Sequence, residues 1–384
     1  MAEEIHGLCA PGFEAVRNAF ATNFEEGHEN GAAVTVTIDQ EPVVELWAGR
    51  RDVAGTLPWE RDTLANVWST TKGLTAICAH VLVDRGQLDL DAPVAKYWPE
   101  FAQAGKAEIP VRWLLSHRAG VPALRETLPP HAAWDWDTMV EALAAEEPWW
   151  VPGESFGYHA VTFGWLVGEV IRRVSGKSLG TFFREEVAEP FDIDFHIGLD
   201  AGDDSRVAEV AAAPPPPPGE TTPMTAAMED PASMASLAFN NPVEILNPEI
   251  VNSRDWRAAE LGAVNGHTTA TGLARAYGLL ACGGELNGVR LLRQETIDQM
   301  YVEQSMGENA VTMGPMRIGL GFMLPMEDNN YGRGPRAFGH PGAGGSLGYA
   351  DPDARVGFGY VMNQMGAQPD TRSASLVEAL NASL

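Results

Sequence analysis

Ser69-Thr70-Thr71-Lys72 sets a hydroxyl and a primary amine three residues apart, a spacing that puts both on one face of a helix. A serine hydroxyl is a poor nucleophile near neutral pH and needs a base. Lysine serves as that base only where burial or a nearby cation lowers its pKa. The pair therefore points to acyl transfer through an acyl-serine, with a helix N-terminus lending positive potential and free N–H groups to a developing oxyanion. The same four residues also read as a capping serine followed by a surface lysine. Lysine is scarce, however: Lys72, Lys96, Lys106 and Lys177 are the only ones in 384 residues.

A second serine competes for attention. Gly344-Gly345-Ser346-Leu347-Gly348 fits the Gly-x-Ser-x-Gly pattern, which works as a sharp strand-to-helix turn. Here Tyr349-Ala350-Asp351-Pro352 follows with no helical periodicity, so Ser346 is not expected to be the nucleophile. The nine histidines form neither HxH nor HExxH spacing, which gives metal-assisted hydrolysis little support; no metal and no cofactor are expected. His267-Thr268-Thr269 reads as a loop and a helix cap. Trp149 and Trp150 precede Pro152 and fit the wall of an acyl pocket, although paired aromatics of this kind are more often core, and Phe322 and Met323 carry the same ambiguity.

The elements that must position these groups follow from periodicity. Phe13, Val16, Phe20 and Phe24 recur at helical spacing. Alternating runs at Ala33 to Ile38 and Val43 to Ala48, separated by Asp39 to Pro42, predict a β-hairpin. A short strand at Asn66 to Trp68 leads into a helix with Leu74, Ile77, Val81 and Leu82 apolar and Gly86 at its end, so Ser69 sits at a helix start. Helical patterns dominate from about 87 to 300, at Val111 to Ser116, Asp137 to Glu146, Phe163 to Val174 and Thr269 to Ala281. Pro214 to Pro218 interrupt them with an extended polyproline surface segment. Strand-like runs return at Arg317 to Leu324, Ala337 to Ala350 and Val356 to Asn363, before a last helix at Thr371 to Leu380.

Pairing the hairpin with those three late strands gives one antiparallel sheet built from both chain ends. The expected fold is α/β of the α+β type: a sheet of about five or more strands flanked by N- and C-terminal helices, with an inserted, mainly helical domain. Residues 1–68 and 305–384 would form the α/β domain, and residues 69–304 the helical one carrying Ser69, Lys72 and Tyr158.

Composition excludes partners more sharply than it names substrates. With 26 basic against 52 acidic residues the formal charge is -26, which repels nucleic-acid phosphates and anionic lipid surfaces. No apolar stretch approaches the roughly 18 to 20 residues of a membrane span, and Met1 to Cys9 lack the layout of a secretory signal. A cytoplasmic enzyme with a small-molecule substrate, no nucleic acid and no membrane partner is the expectation. Cys9, Cys78 and Cys282 are too few and too irregularly spaced for a disulfide framework and read as buried small apolar residues.

Further segments carry a resemblance. Val67-Trp68-Ser69-Thr70-Thr71-Lys72-Gly73 resembles the nucleophile motif of serine β-lactamases, penicillin-binding proteins and family VIII carboxylesterases. Similar matches follow in the same order: Gly86-Gln87-Leu88-Asp89-Leu90-Asp91, Leu114-Leu115-Ser116-His117-Arg118-Ala119-Gly120, Pro152-Gly153-Glu154-Ser155-Phe156-Gly157-Tyr158, and His340-Pro341-Gly342-Ala343-Gly344-Gly345-Ser346. The resemblance implies a β-lactamase-like fold. It assigns Ser69 as the acylated nucleophile and Lys72 with Tyr158 as general base and acid, and it makes the N–H groups of Ser69 and Ala343 the oxyanion hole. His340, Gly342, Gly344 and Trp150 would contact substrate.

Two departures bear on the substrate. Ala160 replaces the asparagine of Tyr-x-Asn, and His340 replaces the lysine of Lys-Thr-Gly. An acyl-side-chain amide and a carboxylate-binding cation are thereby missing, which favours short-chain or aromatic carboxylic esters over β-lactams. The rival readings are a β-lactamase or D-amino-acid peptidase or amidase, an acyltransferase using the same acyl-enzyme, and a non-catalytic binding protein.

Overall fold

The hairpin expected near the N-terminus forms from Gly31–Ile38 (β2) and Glu41–Gly49 (β3), and it lies inside a larger sheet. The computed structural model describes residues 3–214, 222–247, 249–327, 331–366 and 370–384. With His6–Cys9 (β1), Phe338–Pro341 (β4), Leu347–Asp351 (β5) and Val356–Met362 (β6), the sheet has six strands in the order β1-β3-β2-β6-β5-β4. Every neighbouring pair is antiparallel. The central pairing joins the two chain ends, with Val34 opposite Tyr360 and Val36 opposite Phe358.

Alternation along β6 decides what covers each face. Phe358 and Tyr360 pack into one core with Val34, Val36 and Leu46, closed by Val16 and Phe20 of Glu14–Glu25 (α1) and by Leu376 and Leu380 of Arg372–Ser383 (α6). Gly357 and Gly359 face the other way, against Ala270–Ala281 (α5). A Cβ on Gly357 would stand 2.3 Å from the Ala274 carbonyl oxygen, and one on Gly359 would stand 2.4 Å from that of Ala270. The missing side chains let the helix backbone rest on the strand backbone.

Thr71–Asp84 (α2) follows the candidate nucleophile, and its residues from Thr71 to Leu82 are all buried. A helix buried on every side is a core helix. It packs against Phe163–Ser175 (α4), which stops at Gly176 with φ of 73°, while Trp136–Ala145 (α3) begins at the Asp135 cap expected of such a start.

Several expectations change. Arg317 to Leu324 does not join the six-strand order: Pro315–Ile318 pairs with Ser305–Glu308, and only Met323 reaches the sheet edge, exchanging backbone hydrogen bonds of 2.8 and 3.1 Å with Gly339. Gly321, at φ of 89° and pressed against Ala76, breaks the run. Ala337 to Ala350 is two strands, β4 and β5, because the residues from Gly342 to Ser346 make a turn. β1 lacks any apolar alternation and went unforeseen. Cys78 is buried as expected, but Cys9 and Cys282 are only partly so. Beyond Pro214 the expected polyproline segment lies outside the described residues. Among those described, no helix is long and apolar enough to cross a membrane.

Candidate active site

Ser69 lies in the turn just before α2, whose first helical residue is Thr71 and whose capping position is Thr70. It is therefore not the cap. Trp68 supports the turn with a positive φ of 47°, a conformation that costs a bulky residue on the order of 1–3 kcal/mol. The surroundings hold it there: the Trp68 N–H donates to Asn66 Oδ1 at 3.2 Å, and its carbonyl accepts from Thr71 Oγ1 at 2.5 Å. The Trp68 ring packs edge-on against Trp256.

Lys72 is fully buried, which removes the surface-lysine reading. Its Nζ is 3.0 Å from Ser69 Oγ and donates to the carbonyls of Ala160 at 2.7 Å and Ala263 at 3.0 Å. Burial alone pushes its pKa well below that of a free lysine. A neutral amine has two N–H groups and one lone pair. The two carbonyls take the two N–H groups, and the lone pair is left toward the Ser69 hydroxyl.

Tyr158 is buried beside this pair, with Lys72 Nζ 4.8 Å from its ring centroid. Burial raises its phenol well above the usual value, and the Ser69 hydroxyl offsets part of that rise. Its backbone N–H donates to Asn309 Oδ1 at 3.1 Å, and the same oxygen accepts from Val311 and Thr312 N–H at 2.9 and 3.0 Å.

His117 and His340 flank the Tyr158 ring, and His159 packs against His117. His340 Nδ1 is 2.7 Å from the Pro341 carbonyl oxygen, so Nδ1 carries the proton and Nε2 is an acceptor with no partner among the described residues. Burial, then Lys72, pushes its pKa down to about 3. His117 Nδ1 accepts from the His159 N–H at 3.1 Å, and His159 Nε2 accepts from the Val121 N–H at 3.2 Å. Protonating either acceptor would break a buried hydrogen bond. Burial accordingly holds His117 well below its ordinary value and His159 at about 3.

The turn from Gly342 to Ser346 closes the site opposite α2. Its Gly342 N–H donates to the Ser346 carbonyl at 2.7 Å. Ser346 is no nucleophile candidate here: it is buried, leads into β5 rather than a helix, and spends its hydroxyl on the Val67 carbonyl at 2.9 Å. Thr70 Oγ1 is 3.1 Å away. A Cβ on Gly342 would fall 2.2 Å from Ser346 Oγ and 2.3 Å from the Val67 carbonyl oxygen, so glycine there permits the turn to seat on the strand leading to Ser69. Among the described residues, neither the Ser69 nor the Ala343 N–H has an intramolecular acceptor. Gly344, at φ of 78°, packs behind the turn on Met362 and Met365.

Trp150 packs on Gly157 and meets His159 edge-on, with Nε1 buried and without a partner among the described residues, whereas Trp149 faces Arg125 and donates to the Ala123 carbonyl. Phe322 is core, between His80 and Phe338. Sequence reasoning passed over His117, His159 and Asn309, and over the carbonyls of Ala160 and Ala263. His117 stood within a matched segment. The carbonyls carry no residue signature at all.

With this geometry in hand, comparison places the chain: a beta-lactamase domain profile matches residues 16–382, and the chain belongs to that family. It is a serine hydrolase of the β-lactamase-like fold. It is 38% identical over 367 residues to the esterase/beta-lactamase LipL of Mycobacterium tuberculosis, covering 94% of this chain and 83% of LipL. The crystal structure of a family VIII carboxylesterase superposes with a TM-score of 0.91 at 43% identity, over 99% of this chain and 100% of that one. A penicillin-binding protein homologue from Caulobacter crescentus superposes with a TM-score of 0.89 at 38% identity, with the same coverage.

Proposed function

We propose that the protein is a serine carboxylesterase acting on short-chain or aromatic carboxylic esters through an acyl-Ser69 intermediate. The observation that carries this is Lys72 Nζ, buried and 3.0 Å from Ser69 Oγ, with two backbone carbonyls occupying its N–H groups. Lys72, coupled to Tyr158, accepts the Ser69 proton as Oγ attacks the ester carbonyl. The N–H groups of Ser69 and Ala343 hold the oxyanion. The C–O bond then breaks, and the alcohol leaves with a proton returned through Tyr158 or Lys72. Water attacks the acyl-serine with the same groups as base, giving the carboxylic acid and free Ser69.

Preference for esters over β-lactams rests on His340. It is neutral and presents a lone pair where a cation would be needed to attract a substrate carboxylate. The similarity to the family VIII carboxylesterase supports the same choice.

The deciding experiment is intact-protein mass after brief incubation with nitrophenyl butyrate and with a phosphonate probe, on wild type and Ser69→Ala. An adduct on wild type only, with ester turnover lost in the variant, supports the proposal. Labelling that persists in Ser69→Ala moves the nucleophile elsewhere, and no labelling of either protein favours a binding protein. Nitrocefin and D-amino-acid amides turned over faster than esters would replace the carboxylesterase reading with the lactamase or amidase one. Ester products formed with added alcohols would reveal acyl transfer.

A further inference from the structure

Behind the Gly342 to Ser346 turn lies a buried ionic cluster that the reaction does not use directly. Arg372, the first residue of α6, has a side chain only 2% exposed. Its Nε donates to Asp370 Oδ1 at 3.0 Å and its Nη2 to Asp370 Oδ2 at 2.6 Å. Nη1 donates to Glu29 Oε2 at 2.8 Å and to the carbonyls of His28 and Gln364, each at 3.1 Å. The remaining Nη2 proton goes to the carbonyl of Gly344. Glu29 is also buried and accepts from the Tyr360 hydroxyl of β6.

This arrangement is costly. Two carboxylates and a guanidinium are taken out of water, and such clusters seldom add net stability over apolar packing. What the cluster does is fix one atom of a turn. The Gly344 carbonyl accepts from Arg372 and, at 3.2 Å, from the Gly366 N–H. Asp370 and Arg372 also fill the space over Gly345, where a Cβ would fall 2.5 Å from Asp370 Oδ2 and 2.9 Å from Arg372 Nη2. On its other side the turn is pinned by Ser346 to Val67, immediately before Trp68 and Ser69. Ala343 immediately precedes the Gly344 anchor, and among the described residues its N–H has no intramolecular acceptor.

We propose that Arg372, held by Glu29 and Asp370, is a positioning residue that aims the Ala343 N–H by clamping the Gly344 carbonyl from behind. The inference rests on the reading of Ala343 as an oxyanion donor. Its physical content is that an oxyanion hole works by preorganisation, so a donor free to swing loses most of its effect on the transition state while ground-state binding is kept. Arg372 supplies the rigidity that a glycine-rich turn lacks.

The test compares wild type, Arg372→Lys, Asp370→Asn and Ser69→Ala. Steady-state nitrophenyl butyrate kinetics are measured together with inhibition by an arylboronic acid, which forms a tetrahedral adduct on an active serine. Arg372→Lys and Asp370→Asn are expected to lower kcat by roughly 10- to 100-fold. KM should stay within about twofold, boronate affinity should fall in parallel with kcat, and Lys should preserve more activity than Asn-weakened anchoring. The ascending limb of the pH–rate profile, set by Lys72, should not move. Should Arg372→Lys fail to fold, Asp370→Asn decides alone, since the Asn amide oxygen can still accept from the Arg372 backbone N–H and Nε. Folded variants with unchanged kcat and boronate affinity, or with kcat unchanged and KM raised, overturn the inference. Turnover surviving in Ser69→Ala would instead overturn the acyl-serine reading itself, so the two failures are distinguishable.

Discussion

The Ala160 carbonyl accepts a hydrogen bond from Lys72 Nζ at 2.7 Å. Position 160 lacks the asparagine amide expected by resemblance, yet its backbone holds the Lys72 amine. A backbone carbonyl holds that amine whatever side chain position 160 carries.

Lys72 is accordingly predicted to act as a neutral amine. The pH–rate profile of the wild type should rise with an apparent pKa well below the 10.5 of free lysine, because burial disfavours the ammonium. Lys72→Arg should lose roughly 10²- to 10⁴-fold in kcat. Stability carries a matching sign. The folded pKa is depressed, so the unfolded chain binds more protons between the two values, and wild type should gain stability relative to Lys72→Met as pH rises toward 10. Chemical denaturation at several pH values measures the slope; a flat difference would mean that Lys72 is not depressed.

Tyr158→Phe should cost about 10²-fold in kcat while changing stability by no more than about 1 kcal/mol. The ring fills the same space beneath Lys72, and only the hydroxyl facing Ser69 is removed. Near-normal turnover of nitrophenyl esters by this variant would remove Tyr158 from the mechanism.

Gly342→Ala and Ser346→Ala should separate two roles of one turn. The first drives a methyl into Ser346 Oγ and the Val67 carbonyl and should destabilise by about 1–3 kcal/mol with loss of most activity. The second removes the buried hydrogen bonds of the Ser346 hydroxyl to Val67 and from Thr70, costs about 1–3 kcal/mol, and should leave Ser69 labelled by a phosphonate. Loss of labelling in folded Ser346→Ala would contradict the structural role given to that hydroxyl.

Acid should unfold this protein readily. Burial holds His80 near 4, and His159, His267 and His340 near 3, all below the unfolded value near 6.5. Stability from these neutral rings is therefore complete above about pH 6.5 and falls as pH drops toward the folded values, by about 1.4 kcal/mol per pH unit for each ring. His80→Gln, whose amide can replace the bond from Nε2 to the Leu320 carbonyl, should reduce the slope of unfolding free energy between pH 6.5 and 5. An unchanged slope would show that His80 gains a proton in the folded state.

The flat reading of periodicity located both covering helices, the hairpin and α2 because apolar spacing directly reports which face of a local element is buried. It misassigned Arg317 to Leu324 because strand partners are chosen by tertiary register and by the break at Gly321, neither of which a local pattern records. β1 escaped notice for a related reason: an exposed edge strand is held by backbone hydrogen bonds to β3 and needs no apolar alternation.

The amino-acid sequence by itself determined the chemistry on offer, a serine and a lysine at helical spacing with a tyrosine further along, since side-chain identity and local periodicity are properties of the chain. Tertiary structure decided that Lys72 is dry, that the carbonyls of Ala160 and Ala263 hold it, that His340 presents a lone pair, and that Arg372 stands behind the turn bearing Ala343. Burial and backbone hydrogen bonding are set by residues distant in sequence, and every peptide group carries the same carbonyl, so no residue letter announces which one will do the work.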